Sequence, residues 1–158
     1  MTRTPFKLAA LAITCGLGLA QAQTTPLELK FASSAPPTSP WAKQIDRMAA
    51  SVAEESKGAV KITPFYGSQL GSENDAIAQI SRGRIDMGSF TANSVALQVP
   101  EIALLQLPFF FDSQQQRDCV LDNHVQKYTV EALAKKNLVF IAWGEVGSVH
   151  LPGKKPYL

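Results

Sequence analysis

The residues able to do acid-base or covalent chemistry are few, and they are badly placed for it. His124 and His150 are the only histidines. His124 falls in a helical pattern beside charged neighbours and His150 in a loop, positions that suit surface residues better than a base or a metal ligand. Glu54 and Glu55 are adjacent in sequence and so point different ways on a helix, the wrong arrangement for shared proton transfer. The chain has no Gly-x-Gly-x-x-Gly, no phosphate loop, no paired cysteines, no His-Glu-x-x-His and no Gly-x-Ser-x-Gly. Neither an enzyme centre nor a cofactor or metal site is expected.

What remains is a set of hydrogen-bonding side chains at the ends of apolar runs. Ser33 and Ser34 follow the first such run, Ser72 and Glu73 the second, Ser89, Thr91 and Asn93 the third, and Trp143 and Glu145 the fourth. These are donors, acceptors and one stacking ring, an inventory for binding a small ligand. In open parallel sheets, ligands bind beyond the carboxyl ends of the strands, where loops and helix starts converge. Trp143 closes a run where the polar Gly144-Glu145 begins; cleft lining and core packing are equally good readings of an aromatic there.

The elements that must position these residues are legible in turn. Leu27–Ala32 alternates as a first strand. Ser39 and Pro40 suit the N-cap and first position of a helix that sets Trp41, Ile45, Met48 and Val52 on one face and ends at Gly58. Ala59–Phe65 is a second strand. Ser72 with Asp75 three places on predicts the start of a short helix that Gly83 ends in a left-handed turn, and Ile85–Phe90 resumes as a third strand. Thr91–Phe111, broken by Pro100 and Pro108, predicts a short helix or turn and then an irregular stop at Leu107-Pro108-Phe109-Phe110-Phe111, whose aromatics are expected to pack in the core. Asp112 with Gln115 starts a long helix carrying Leu121, Val125, Tyr128 and Ala132, and the unbroken apolar run Leu138–Trp143 predicts a fourth strand covered on both faces. The fold class is α/β, an open and mostly parallel sheet with flanking helices.

The first residues stand apart from this domain. Arg3 and Lys7 precede an uncharged run from Leu8 to Ala20, and Ala20-Gln21-Ala22 is a small-x-small site, so residues 1–22 are expected to be a cleaved secretory signal peptide rather than a membrane span. No membrane insertion is expected after cleavage. Loss of Arg3 and Lys7 leaves 13 basic against 13 acidic residues, a balance that gives no basic surface for nucleic acid. Cys15 lies within the leader and Cys119 alone survives it, so no internal disulfide can form in an oxidising compartment.

Several stretches, taken in order, resemble one family. They are Ser39-Pro40-Trp41, Gln69-Leu70-Gly71-Ser72-Glu73, Gly83-Arg84-Ile85-Asp86-Met87, Leu107-Pro108-Phe109-Phe110-Phe111 and Lys154-Lys155-Pro156. From about Leu29 to Pro156 the chain resembles the extracytoplasmic solute receptors of tripartite ATP-independent periplasmic (TRAP) transporters, the DctP-type substrate-binding proteins. The resemblance implies a periplasmic two-lobed receptor of type II-like fold that closes on a small organic acid and delivers it to a membrane permease. On that reading residues 23–142 form the first lobe and 143–158 begin the crossover to a second lobe. Tyr66 stands where the family usually has proline, and Val149 where many members have an arginine that contacts the ligand carboxylate. The family's principal carboxylate-binding arginine is expected beyond Leu158, so the chain by itself is expected to bind an acid weakly at best. A truncated, inactive receptor remnant and a secreted hydrolase fragment are the alternatives left open by the sequence.

Overall fold

The computed structural model describes residues 25–147; the expected leader, Val149, His150 and the Lys154-Lys155-Pro156 end lie outside them. Three strands form the sheet, β1 (Leu27–Ser33), β2 (Val60–Phe65) and β3 (Met87–Ser89), in the order β2-β1-β3. Both pairings are parallel, with Leu27 opposite Val60, Ala32 opposite Phe65 and Ser33 opposite Ser89. Parallel neighbours need crossover connections, which here are helices. They are α1 (Pro40–Glu55) between β1 and β2, and α2 (Glu73–Ser81) between β2 and β3.

Side-chain alternation along β1 decides which helix covers which face. Phe31 packs with Ile45 of α1 and Ile62 of β2, while its neighbour Ala32 packs with Ala76 of α2 and Ile85. The sheet is thus covered on both sides. Local chemistry fixes the helix ends as expected. Ser39 Oγ accepts the Ala42 amide at 3.1 Å with Pro40 behind it, and Ser72 Oγ accepts the Asp75 amide at 3.2 Å while donating to the Asp75 carboxylate at 2.7 Å. Gly83 follows α2 at φ +70°, and the amides of Gly83 and Arg84 return to the last carbonyls of the helix.

The third strand is shorter than its apolar pattern suggests. Asp86 accepts the Lys30 amide through its carboxylate at 2.7 Å, so a side chain takes the place of a ladder bond and pairing starts only at Met87. Tyr66 fills its turn usefully. Its hydroxyl donates to the Asp46 carboxylate and lies 3.0 Å from the Ala42 carbonyl, pinning α1 to the end of β2. Burial and the adjacent Asp46 carboxylate together hold its phenol well above the ordinary range.

Residues 92–147 depart further from expectation. A short α3 (Ala92–Ala96) and a 3-10 helix (Pro100–Gln106) precede the aromatic stop. The three phenylalanines are not core. Leu107–Phe110 is a tight turn, with the Phe110 amide on the Leu107 carbonyl, Pro108 second and Phe109 third at φ +58°. That turn throws Phe109 outward to 97% exposure.

The long helix starts one residue late, with Ser113 and not Asp112 as the N-cap, because Ser113 Oγ accepts the Gln116 amide. It runs as α4 (Gln114–Val120), a π-turn at Leu121–Val125 and α5 (Gln126–Ala134). The wider π-turn shifts the helical phase, so Thr129 and Leu133 face inward where Tyr128 was expected to. The fourth strand is absent from the sheet. Leu138 and Phe140 pack on the cluster of Val99, Ile102 and Leu133, whereas Val139 and Ile141 stay 89% and 71% exposed. One covered face and no paired neighbour among the described residues leave Leu138–Trp143 outside the ladder.

Candidate functional site

The carboxyl ends of β1 and β3 lie side by side, and their last residues start a continuous polar network. Ser33 is opposite Ser89 in the register, so both hydroxyls emerge on one face of the sheet. Ser33 is 4% exposed and needs its hydrogen-bond capacity met within the protein. Its Oγ accepts from the Ser89 hydroxyl at 3.1 Å and from the Ala35 amide at 3.2 Å. Ser89 in turn accepts the indole N–H of Trp41 at 3.1 Å.

Beside this pair, Glu73 ties together the loops that leave the strands. One carboxylate oxygen accepts from Ser34 Oγ at 2.5 Å; the other accepts from the Thr91 amide at 3.0 Å and the Thr91 hydroxyl at 2.7 Å. Ser94 joins them, 3.3 Å from Thr91 Oγ1. Burial pushes the Glu73 carboxyl up, but hydrogen bonds from Ser34, Ser94 and Thr91 outweigh it and hold the group below the ordinary glutamate range. Glu73 is the first residue of α2, where a negative charge also faces the positive end of the helix. A single ionised side chain therefore fixes the loop after β1, the start of α2 and the start of α3.

The structure brings five of the expected site residues, Ser33, Ser34, Glu73, Ser89 and Thr91, into these contacts. Ser72 adjoins them as the exposed N-cap of α2, and Asn93 is exposed on the first turn of α3. Ser33, Ser34 and Glu73, with Leu70, Gly71 and Phe90, rim a shallow hollow at the strand ends. Trp143 and Glu145 sit in the irregular segment 143–147. The Trp143 ring packs 4.9 Å from Phe140, with its indole nitrogen buried and unpartnered. Glu145 is bound by Arg117 at 2.7 Å and by the side-chain amide of Gln114 at 2.8 Å. That ion pair, together with Asp118, raises the Arg117 guanidinium further above its ordinary value.

Two residues of this arrangement escape a reading by periodicity. Trp41 belongs to the apolar face of α1 by spacing, and only its place in Ser39-Pro40-Trp41, at the very start of the helix, hints that its N–H reaches the strand ends. Arg117 reads as a surface charge of a helix. A larger hollow of about 200 Å³ lies elsewhere, between the 3-10 helix and α5, lined by Gln98, Glu101, Tyr128, Glu131 and Lys135 among others. No strand-end residue contributes to it. Among the described residues, no group of three or more His, Cys, Asp or Glu side chains is placed to hold a metal ion, and no helix is long and apolar enough to cross a membrane.

This geometry matches a known family. The profile of the bacterial extracellular solute-binding proteins, family 7 (DctP), aligns with residues 31–158. The chain belongs to this family. A solute-binding protein of Chromohalobacter salexigens is 32% identical over 108 residues, which cover 68% of this chain and 32% of that protein. The 2,3-diketo-L-gulonate-binding periplasmic protein of Escherichia coli is 31% identical over 108 residues, 65% of this chain and 33% of its own length. Solved structures agree. A TRAP periplasmic solute-binding protein from Chromohalobacter salexigens with bound D-glucuronate superposes with a TM-score of 0.65 at 31% identity, covering 70% of this chain and 37% of that one. The sugar acid binding protein DctPAm from Advenella mimigardefordensis, in complex with galactonate, gives a TM-score of 0.67 at 27% identity, with 70% and 36% covered. The DctP-family chain described here spans about a third of the length of these curated relatives. They are binding proteins, and the described residues match a truncated lobe of their fold.

Proposed function

We propose that this DctP-family chain supplies the first lobe of a periplasmic TRAP receptor that captures a small organic acid, in the class of sugar acids and dicarboxylates, for uptake by a membrane permease. Residues 1–22 act as the export signal, residues 23–142 form the lobe, and 143–158 lead toward a second lobe. The observation that carries this reading is the convergence of Ser33, Ser34, Glu73, Ser89 and Thr91 at the carboxyl ends of β1 and β3. Relatives named for D-glucuronate, galactonate and 2,3-diketo-L-gulonate support the ligand class.

Roles divide by how fully each side chain is already engaged. Glu73 and Ser33 are committed to protein partners and shape the site. The exposed Asn93 presents its side-chain amide to ligand carboxylate oxygens, whereas the hydroxyls of Ser34, Thr91 and Ser72 already donate to Glu73 and Asp75 and offer lone pairs to ligand hydroxyls, with the Trp143 ring packed against Phe140. Glu145 acts through Arg117, holding the crossover segment in place. Among the described residues no cation belongs to the strand-end cluster and Glu73 is itself an anion, so a carboxylate here is met by neutral donors only, and its binding by this lobe is weak, on the order of 0.1 mM or weaker. Titration calorimetry of the exported protein with D-glucuronate, galactonate and succinate tests the reading. Saturable one-to-one binding of at least one acid is expected; heats equal to dilution for all three, on a folded sample, contradict it.

A further inference from the structure

The segment 143–147 touches the strand ends through one ring. A Cβ placed on Gly144 would lie 2.4 Å from Cη2 of Trp41 and 3.0 Å from its Cζ2, so the backbone at 144 lies directly against the indole. Real side chains do not tolerate such a distance. Glycine is required here for space and not for backbone conformation, because Gly144 is outside the left-handed region that Gly147 occupies at φ +98°. The N–H of the same indole donates to Ser89, which donates to Ser33. Trp41 is itself held as the second residue of α1, behind the Ser39 cap and Pro40.

We infer that Trp41 is a positioning residue of the binding site: it sets the segment 143–147 against the carboxyl ends of β1 and β3, and does so only because residue 144 has no side chain. The role builds on the binding reading above and extends it to a residue outside the ligand contacts. The neighbouring residue anchors the same segment by different chemistry. Glu145 is gripped by Arg117 and Gln114 of α4, so the segment is held at 144 by shape and at 145 by charge. Added salt weakens the second hold and leaves the first, since contact packing is not screened.

Two tryptophans, Trp41 and Trp143, are present in the chain, which makes the indole its own probe. In a Trp143→Phe protein without ligand, emission reports Trp41 alone. Adding Gly144→Ala is expected to shift that emission to the red and to raise the rate of cleavage after Glu145 by a glutamate-specific protease about tenfold, with amide hydrogen exchange in α2 and the urea midpoint unchanged. Trp41→Phe combined with Gly144→Ala is expected to restore resistance to that cleavage, because the smaller ring vacates the space a Cβ needs. Ser89→Ala, which removes the acceptor of the indole N–H together with the donor to Ser33, gives a smaller red shift. Unchanged Trp41 emission and unchanged cleavage after Glu145 in Gly144→Ala overturn the inference, as does failure of the smaller ring to rescue. All readouts are taken without ligand, so a failure to bind any acid would remove the receptor reading and leave this one standing.

Discussion

Residues 25–96 and residues 97–147 are built on different terms. In the first region each strand end is covered: Phe31, Ile45 and Ile62 fill one face of the sheet, Ala32, Ala76 and Ile85 the other, and Glu73 closes the polar rim. In the second region Val99, Ile102 and Leu133 are buried together, but large apolar side chains also stand in the open, with Leu97 67%, Phe109 97%, Val139 89% and Ile141 71% exposed. The first region buries most of its large apolar side chains among its own residues, and the second leaves more of them in water. Energetic sensitivity should follow the same division.

The sharpest break of that comparison is a cavity in the first region. Ile45→Ala removes a side chain 4% exposed between α1 and the sheet, and about 3 kcal/mol of stability should be lost in urea unfolding. Next comes the clamp. Glu73→Ala deprives the Thr91 amide and the Ser34 and Thr91 hydroxyls of an ionised acceptor, for a loss of about 2 kcal/mol. Because the Glu73 carboxyl is held below its ordinary value, its contribution is fully present above the ordinary glutamate range and is lost as the pH falls through the depressed value. Unfolding midpoints of wild type and Glu73→Ala should therefore differ at neutral pH and converge as the pH falls below the ordinary glutamate range.

A smaller effect is expected at the start of α2. Ser72→Ala removes one cap and should cost about 1 kcal/mol by the same measurement. Smallest of all is the second region's surface. Val139→Ser with Ile141→Ser should change stability by no more than about 0.5 kcal/mol while lowering self-association in sedimentation, since both side chains already face water. A loss comparable to that of Ile45→Ala would show that Val139 and Ile141 are buried in the working protein and would erase the contrast.

The same division governs what the sequence made legible. Ser39-Pro40, Ser72 with Asp75, and Gly83 are local signals, whose partners lie within a turn, and the structure uses each as its spacing predicts. The parallel sheet and the meeting of Ser33 with Ser89 follow from strands placed by such signals. Leu138–Trp143 failed because an unbroken apolar run says that a segment is covered without saying by what, and half of its side chains remain uncovered here. Phe109 failed for a local reason: Pro108 sets a turn whose third residue points away from the core. The Trp41 indole was hidden in a helical stripe, since periodicity places a ring on a face and cannot tell where its N–H ends.

The central claim is that the ends of β1 and β3, held by Glu73, receive the carboxylate ligand. The most direct test follows backbone amide chemical shifts of the exported protein by NMR as D-glucuronate, galactonate or succinate is added, a measurement that registers weak binding. Saturable shifts concentrated at residues 33–35, 72–75 and 89–94 are predicted for at least one acid. Shifts confined to the hollow around Glu101 and Tyr128, or no saturable shift with any of the three, would contradict the account.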